Sequence, residues 1–137
     1  MEQNRALLLR ELGLPAPPLW LEQVHGCDVA RVGDGLEGCK ADAAVTREPG
    51  RVCAVLTADC LPLLLCDRAG SRVAAVHAGW RGLLGGVIEA ALDALELPGE
   101  ELLCWLGPAI GPDTFEVGEE VRAAFIERDL ASGAAFR

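Results

Sequence analysis

Two apolar runs joined by a tight turn, between residues 60 and 79, constrain the fold of this 137-residue chain most strongly. The continuous apolar character of residues 61–66 predicts a buried strand, and Pro62 places that strand at a sheet edge or at a strand start. Residues 73–76 predict a second strand, and residues 67–71 have the composition of a turn. The pattern therefore predicts a β-hairpin in which residue 67 lies opposite residue 72.

This register brings two reactive side chains to one end of the hairpin. Residue 62 then faces His77, and Cys60 lies diagonal to His77 on the same face, because alternate residues of a strand share a face. Diagonal neighbours are ~7–8 Å apart, which is within reach of a shared ion or a thiol–imidazole contact. The prediction depends on the turn length, since one residue more or less reverses the parity.

The other predicted elements mix helices with strands. In chain order they are a helix at 2–12 with one apolar face, strands at 19–24 and 28–32, a Gly-rich loop at 33–40, a buried strand at 52–56, a helix at 82–95, a strand at 102–106, a rigid loop at 107–112 and a helix at 119–128. This order is typical of α+β or α/β layers, and the length predicts one domain.

Composition narrows the class of protein and its partners. The chain has 12 basic and 21 acidic residues, so its net charge of −9 argues against nucleic acid and anionic membranes as partners. A hydrophobic share of 51% excludes intrinsic disorder, and no apolar run reaches the ~18–20 residues of a membrane span. The first ten residues lack a signal-peptide pattern, and the six cysteines form no CxxC pair. We therefore expect a reduced, cytoplasmic protein.

His25 and His77 are the only histidines, and each lies where an apolar strand breaks into a Gly-containing turn. With Cys60 they offer two imidazoles and one thiolate, the ligand count of a catalytic zinc site with an open fourth position. The same donors suit copper. The three residues are too far apart in the chain to form a local motif, and ordinary hydrogen-bonded histidines at strand ends are the alternative.

Three charged residues near these positions have both a functional and a structural interpretation. Asp59, beside Cys60, is a candidate to orient a histidine or accept a proton, or else it hydrogen-bonds loop amides. Asp42, just before a short apolar run, has the same two interpretations. Arg81 follows Gly79 near a predicted helix start, where the helix N-terminus and the guanidinium both favour an anion. A surface arginine after a tight turn is the alternative.

Five segments in this order resemble the motifs of the YfiH family, also called laccase-domain or multicopper polyphenol oxidase-like proteins. They are QVHG at 23–26, DAAVT at 42–46, TADCLP at 57–62, HAGWRG at 77–82 and GPAIG at 107–111. The resemblance extends over residues 2–136. Many family members are described as purine nucleoside phosphorylases, and some as peptidoglycan editing factors.

The resemblance implies an α+β fold, a layered α/β/β/α sandwich with mixed sheets. It also implies that residues 1–137 belong to a single domain that lacks the family's N-terminal strand segment and its C-terminal segment. Zinc or copper would be bound by His25, Cys60 and His77. The expected catalytic residues are Cys60, His77, His25 and Asp59, and the expected substrate and phosphate ligands are Arg81 and Gly79.

The implied activity is that of a metal-dependent enzyme on purine nucleosides. It includes phosphorolysis of adenosine, inosine, guanosine and methylthioadenosine, and deamination of adenosine. The alternatives are a metal-free cysteine hydrolase with a Cys60–His77 pair, a copper polyphenol oxidase, a peptidoglycan editing factor and a fragment without activity. The expected partners are a purine nucleoside and phosphate, together with self-association through sheet surface that the missing segments would cover.

Overall fold

A computed structural model describes residues 2–33 and 39–136. The strands are β1 (Val29–Arg31), β2 (Ala43–Thr46), β3 (Leu61–Asp67), β4 (Val73–Ala78) and β5 (Leu102–Leu106). The α-helices are α1 (Glu2–Glu11), α2 (Trp80–Gly85), α3 (Val87–Leu95) and α4 (Glu119–Arg128), and short 3₁₀ helices span Gly99–Glu101 and Leu130–Ala135. The strands form one sheet in the order β1-β2-β4-β3-β5.

The predicted hairpin and its register are confirmed. Strands β3 and β4 pair antiparallel with Pro62 opposite His77, and the Asp67 N–H donates to the Arg72 carbonyl at 3.1 Å across the turn. Strand β3 lies between β4 and β5, and its pairing with β5 begins only at Leu63. Pro62 therefore marks a strand start, where its missing N–H costs no bond to β5.

One face of the sheet, the helix face, packs against α3 and forms the core. Alternate strand residues meet the buried stripe of α3, as the period of a strand and of an amphipathic helix requires. The core cluster comprises Ala43, Val45, Leu63, Leu65, Ala74, Val76, Ala78, Val87, Ala91 and Leu95. This contact fixes the strands whose ends carry the candidate site residues.

The opposite face, the outer face, is covered only in part. A cavity of about 510 Å³ opens there between Pro15, residues 51–53 and the sheet. Apolar side chains of Leu64, Leu103 and Trp105 line it and remain about half exposed. The outer face therefore carries apolar surface that the described residues do not bury.

The predicted continuous helix at 82–95 is wrong, because the chain forms two helices that meet at Gly86. This glycine has φ 99°, a left-handed conformation that residues with a side chain rarely adopt, and its N–H caps α2 on the Gly82 and Leu83 carbonyls. Helix α2 also begins two residues earlier than predicted, at Trp80. The break sets the direction of the chain that leaves the end of β4.

Two predicted strands are wrong as extended elements. Residues 19–24 and 52–56 contribute only isolated bridges, Leu19 to Cys53 and Glu22 to Lys40. The Gln23 side chain replaces a backbone ladder, since its amide oxygen accepts from the Leu56 N–H at 2.7 Å and its amide nitrogen donates to the Leu56 carbonyl at 2.8 Å. The Gln23 side chain thus bonds the Leu56 N–H and carbonyl, which a neighbouring strand would bond in the predicted structure.

Helix α1 lies where it was predicted, and its apolar residues are not buried in the described chain. None of its residues is buried, and Leu8 remains exposed, as does Leu12 just after the helix. Arg5 instead lies over the Trp20 ring, with its guanidinium carbon 4.5 Å from the ring centroid. The helix is therefore attached to the rest of the described chain by few contacts.

The α+β class with a mixed sheet is confirmed: β1 and β2 pair parallel, and the other pairs are antiparallel. The predicted strand at 102–106 and helix at 119–128 are also confirmed. Of the Gly-rich loop at 33–40, residues 34–38 lie outside the described part of the chain. Within residues 2–33 and 39–136, no helix is long and apolar enough to cross a membrane.

Candidate functional site

A cluster of three side chains lies at the end of the hairpin opposite the 67–72 turn. His77 is near the end of β4, Cys60 immediately precedes β3, and His25 lies in the turn before β1. Their candidate ligand atoms all lie within 4.8 Å of one another, and Cys60 Sγ is 3.9 Å from His25 Nε2. The two imidazole rings meet edge to face with centroids 4.8 Å apart. The structure thus brings together the three residues that the sequence singled out as metal ligands.

His77 is buried and is held by Asp42, the residue before β2. The His77 Nδ1 lies 2.8 Å from Asp42 Oδ1, and the His77 backbone N–H donates to the Asp42 carbonyl at 2.7 Å. An ionised carboxylate only accepts hydrogen bonds, so this contact assigns the proton to Nδ1. The lone pair of Nε2 is then free for a ligand, which is the usual arrangement of a histidine that binds a metal.

The same carboxylate holds the turn that carries His25. The backbone N–H groups of Val24, His25 and Gly26 donate to Asp42 at 3.1, 2.9 and 2.7 Å. His25 has φ 59°, a left-handed conformation that is uncommon for a residue with a side chain. Three hydrogen bonds to one charge stabilise this turn, which leaves the His25 side chain exposed at the mouth of the cluster.

The Asp42 side chain is completely buried, yet it stays anionic. Burial raises the pKa of the Asp42 carboxyl, but hydrogen bonds from His77 and from the Gly26, Val24 and His25 N–H groups outweigh that effect. The net pKa lies below its ordinary value. A negative charge therefore lies directly behind the His77 imidazole and beside the His25 backbone, where it favours a cation bound at the cluster.

Cys60 is half-buried, and its thiol is not activated by its surroundings. Burial raises the pKa of the Cys60 thiol, and the negative charges of Asp59 and Asp42 raise it further. The protein groups alone therefore favour the neutral thiol. A bound cation would act in the opposite direction, because a metal stabilises the thiolate as its ligand.

Gly79 forms one wall of the cluster. A Cβ at this position would lie 2.8 Å from His25 Cδ2 and 3.0 Å from Cys60 Sγ, closer than real Cβ atoms approach. The absence of a side chain therefore lets the link between β4 and α2 pass directly beside both residues. Its predicted contact with phosphate stays a prediction.

Arg81 and Asp59 lie near the cluster but outside it, and their predicted roles stay predictions. Arg81 is exposed, and its guanidinium carbon lies 4.2 Å from the centroid of the Trp80 ring. Asp59 is also exposed, and its carbonyl accepts the Ile110 N–H at 3.0 Å. This bond ties the Gly- and Pro-rich loop at 107–112 to the residue beside Cys60.

The donor set and its spacing fit one metal ion. Zinc binds imidazole nitrogen at ~2.0–2.1 Å and thiolate sulfur at ~2.3 Å, which in a tetrahedral site places neighbouring ligand atoms roughly 3.3–3.6 Å apart. The observed Sγ–Nε2 separation of 3.9 Å needs only a small contraction to reach that range. The cluster therefore has the chemistry, the spacing and the supporting carboxylate of a metal site.

Asp42 is the site residue whose role the sequence left undecided. Its motif was visible, but its partners are spread over residues 24–26 and 77. Those contacts depend on the pairing of β2 with β4, in which Ala43 lies opposite Val76. No local pattern predicts that register.

Comparison with known proteins identifies relatives over the full chain. Residues 1–137 match the family model described as multi-copper polyphenol oxidoreductase laccase. The chain is 54% identical to purine nucleoside phosphorylase YfiH of Shigella flexneri, covering 99% of this chain and 56% of that protein. It is 53% identical to purine nucleoside phosphorylase PA4543 of Pseudomonas aeruginosa, covering 99% and 55%. The chain thus spans about half the length of these relatives.

Solved structures agree with the fold described above. The chain superposes on the crystal structure of Neisseria meningitidis protein NMB0706 with a TM-score of 0.91 and 44% identity, covering 98% of this chain and 55% of that one. The corresponding values for YlmD of Geobacillus stearothermophilus are 0.79 and 27%, with coverages of 90% and 52%.

Proposed function

The chain belongs to the multi-copper polyphenol oxidoreductase laccase family, as its five motifs predicted, and from this premise we propose that it carries the metal site of an enzyme acting on purine nucleosides. The observation that carries the proposal is the His25–Cys60–His77 cluster backed by Asp42. The relatives named purine nucleoside phosphorylase support the substrate class. Because the chain spans about half of those relatives, substrates and reaction are proposals here, as are the predicted domain arrangement and the cytoplasmic location.

The proposed cofactor is zinc or copper, held by His25, Cys60 and His77. These residues would supply two nitrogens and one sulfur, the ligand count that leaves a catalytic zinc one further position for water or substrate. A metal bound there supplies a Lewis acid that polarises the group beside it. His77 is buried and His25 is exposed, so a substrate would reach the cluster from the side of His25.

The proposed reaction is phosphorolysis of adenosine, inosine, guanosine or methylthioadenosine. A phosphate oxygen forms a bond to the anomeric carbon while the carbon–nitrogen bond to the purine breaks. The departing base keeps the bonding electrons and takes up a proton. We assign phosphate binding to Arg81 beside Gly79, because a guanidinium matches phosphate oxygens in charge and geometry.

Adenosine deamination is the second activity that we assign to this site. Water replaces the exocyclic amino group, which leaves as ammonia, and a nearby base must first accept a proton from the water. Asp59 is exposed beside Cys60, which makes it our candidate for the group that accepts and returns this proton.

A metal-free cysteine hydrolase is the second candidate, and one observation favours it. Asp42 is hydrogen-bonded to the His77 ring, and Cys60 Sγ lies within 4.8 Å of a His77 ring nitrogen, so a carboxylate, an imidazole and a thiol are neighbours, as around a nucleophile with an oriented base. The raised pKa of the Cys60 thiol argues against it, since such a nucleophile needs a stabilised thiolate. Fast alkylation of Cys60 by iodoacetamide, unaffected by a chelator, would favour the hydrolase, whereas alkylation that needs prior metal removal favours ligation.

The test of the proposal combines metal analysis with a nucleoside assay. The chain is purified without chelator, and release of hypoxanthine from inosine is followed with and without inorganic phosphate, alongside adenosine deamination. We expect one zinc or copper per chain and phosphate-dependent turnover, both lost in Cys60→Ala and both kept in Cys104→Ala, which removes an exposed thiol outside the cluster. Metal binding without turnover of any of these nucleosides would refute the substrate and leave the site assigned. The metal found also separates a zinc enzyme from a copper oxidase.

A further inference from the structure

We propose that Asp42 is a positioning residue that orients both histidines of the cluster toward one metal ion. It acts on His77 through the ring proton and on His25 through the backbone. The proposal rests on the metal site assigned above and adds to it a residue that does not touch the metal. Its basis is the distribution of hydrogen bonds around one buried carboxylate.

One carboxylate oxygen of Asp42 bonds both histidines, and the other bonds the two residues that flank His25. Oδ1 accepts from the His77 ring Nδ1 and from the His25 backbone N–H, at 2.8 and 2.9 Å. Oδ2 accepts from the N–H groups of Val24 and Gly26, on either side of His25. Both oxygens are therefore occupied by groups that determine the direction of an imidazole.

The backbone of Asp42 is itself held in place, so the carboxylate cannot adjust independently. Its N–H donates to the Asp28 carbonyl at 3.0 Å, and its carbonyl accepts the His77 N–H at 2.7 Å. The next residue, Ala43, is paired with Val29 on one side and with Val76 on the other. The carboxylate is thus fixed by three neighbouring strands.

An asparagine at this position cannot replace the carboxylate, because it offers one acceptor oxygen instead of two. If its NH₂ group faces His77, Nδ1 must become the acceptor, and the ring proton moves to Nε2, the nitrogen needed for a metal. If the NH₂ group instead faces residues 24 and 26, it meets two N–H donors and the His25 turn loses its support. Either orientation disables one histidine without altering the volume of the side chain.

The test compares Asp42→Asn with Asp67→Asn, which changes the other buried aspartate of the sheet, at the far end of β4. Zinc affinity is measured by competition with a chromogenic chelator. We expect a roughly 10–100-fold loss in Asp42→Asn, the usual effect of removing a carboxylate behind a metal-bound histidine, and wild-type affinity in Asp67→Asn. Wild-type zinc affinity in Asp42→Asn would overturn the proposal.

A second measurement needs no metal. Nitrogen-15 NMR of the imidazoles in the metal-free wild-type chain identifies which ring nitrogen carries the proton. We expect His77 as the Nδ1–H tautomer, with that tautomer lost in Asp42→Asn. A wild-type His77 that carries its proton on Nε2 alone would overturn the positioning role, even if zinc binds. An Nδ1–H tautomer in a chain that binds no metal would support the orientation of His77 by Asp42 and would count against the metal site.

Discussion

Two buried aspartates, Asp42 just before β2 and Asp67 at the end of β3, differ in where the hydrogen-bond partners of their carboxylates come from. Asp67 accepts from the N–H and hydroxyl of Ser71 and from the Arg72 N–H, all within five residues. The partners of Asp42 lie 16 to 35 residues away and include a histidine ring. The pKa of each carboxyl lies below its ordinary value, so both remain charged.

The comparison separates a carboxylate that closes a turn from one that assembles a site. The hydrogen bonds of Asp67 are local, so they stabilise the hairpin and need nothing from the rest of the fold. The hydrogen bonds of Asp42 form only when β1, β2 and β4 have come together. They then hold His25 and His77 beside Cys60. Equal burial and equal charge therefore do not imply equal roles.

The largest expected effect is that of Asp42→Ala on stability. Without the carboxylate, the buried His77 Nδ1–H and the N–H groups of residues 24–26 lose their acceptor. We expect the free energy of unfolding to fall by about 3 kcal/mol or more, since each unsatisfied buried donor costs ~1–3 kcal/mol. Urea unfolding of the metal-free chain, followed by tryptophan fluorescence, measures this. A loss below about 1 kcal/mol would mean that water or other groups replace the carboxylate.

The next effect concerns the space beside the cluster. Gly79→Ala adds a methyl group against His25 and Cys60, so we expect a loss of about tenfold or more in zinc affinity. Gly99→Ala is the matched control, because a Cβ there meets nothing within 4 Å. Competition titrations on both variants check this, and equal affinities would show that the cluster tolerates displacement.

A smaller effect is expected in the pH dependence of stability at the other aspartate. Bonds from Ser71 hold the pKa of the Asp67 carboxyl below 3.8, so its contribution is present above that pH and is lost as the pH falls through the lower value of the folded state. Asp67→Asn is therefore expected to be less stable than the wild type at pH 7, with a difference that shrinks below about pH 4. Urea midpoints measured at several pH values test this, and a constant difference would contradict it.

The smallest expected effect concerns the outer face of the sheet, away from both carboxylates' hydrogen bonds. Trp105 is 55% exposed there, and we propose that this apolar surface promotes self-association of the chain. Light scattering at high concentration is expected to give a lower mean mass for Trp105→Lys than for the wild type. Leu130→Lys is the control, since Leu130 is exposed away from the sheet. A monodisperse monomer of the wild-type chain would refute the proposal.

The parts of the molecule that the sequence predicted are those with local causes. The turn at 67–71 determines the hairpin register, and the register places Cys60 near His77. His25 was predicted as a metal ligand because its imidazole is a suitable donor, and the structure places it beside Cys60 and His77. The break at Gly86 had a sequence signal, the Gly85–Gly86 pair, but the apolar spacing that continues on both sides of this pair favoured one unbroken helix.

The parts that could not be predicted depend on distant partners. The role of Asp42 requires the pairing of β2 with β4, and the irregular segment at 52–56 requires the Gln23 side chain to replace a strand. Helix α1 has apolar residues at helical spacing, but none of them is buried among the described residues. Periodicity predicts the presence of an element and leaves its neighbours undetermined.

The central claim is that His25, Cys60 and His77 hold a single metal ion, and the optical spectrum of the Co²⁺-loaded chain tests it most directly. A cysteine thiolate bound to Co²⁺ produces a sulfur-to-cobalt charge-transfer band. We predict that this band saturates at one equivalent of Co²⁺, disappears in Cys60→Ala and is unchanged in Cys104→Ala. A band that persists in Cys60→Ala would assign the metal to another cysteine and contradict the account.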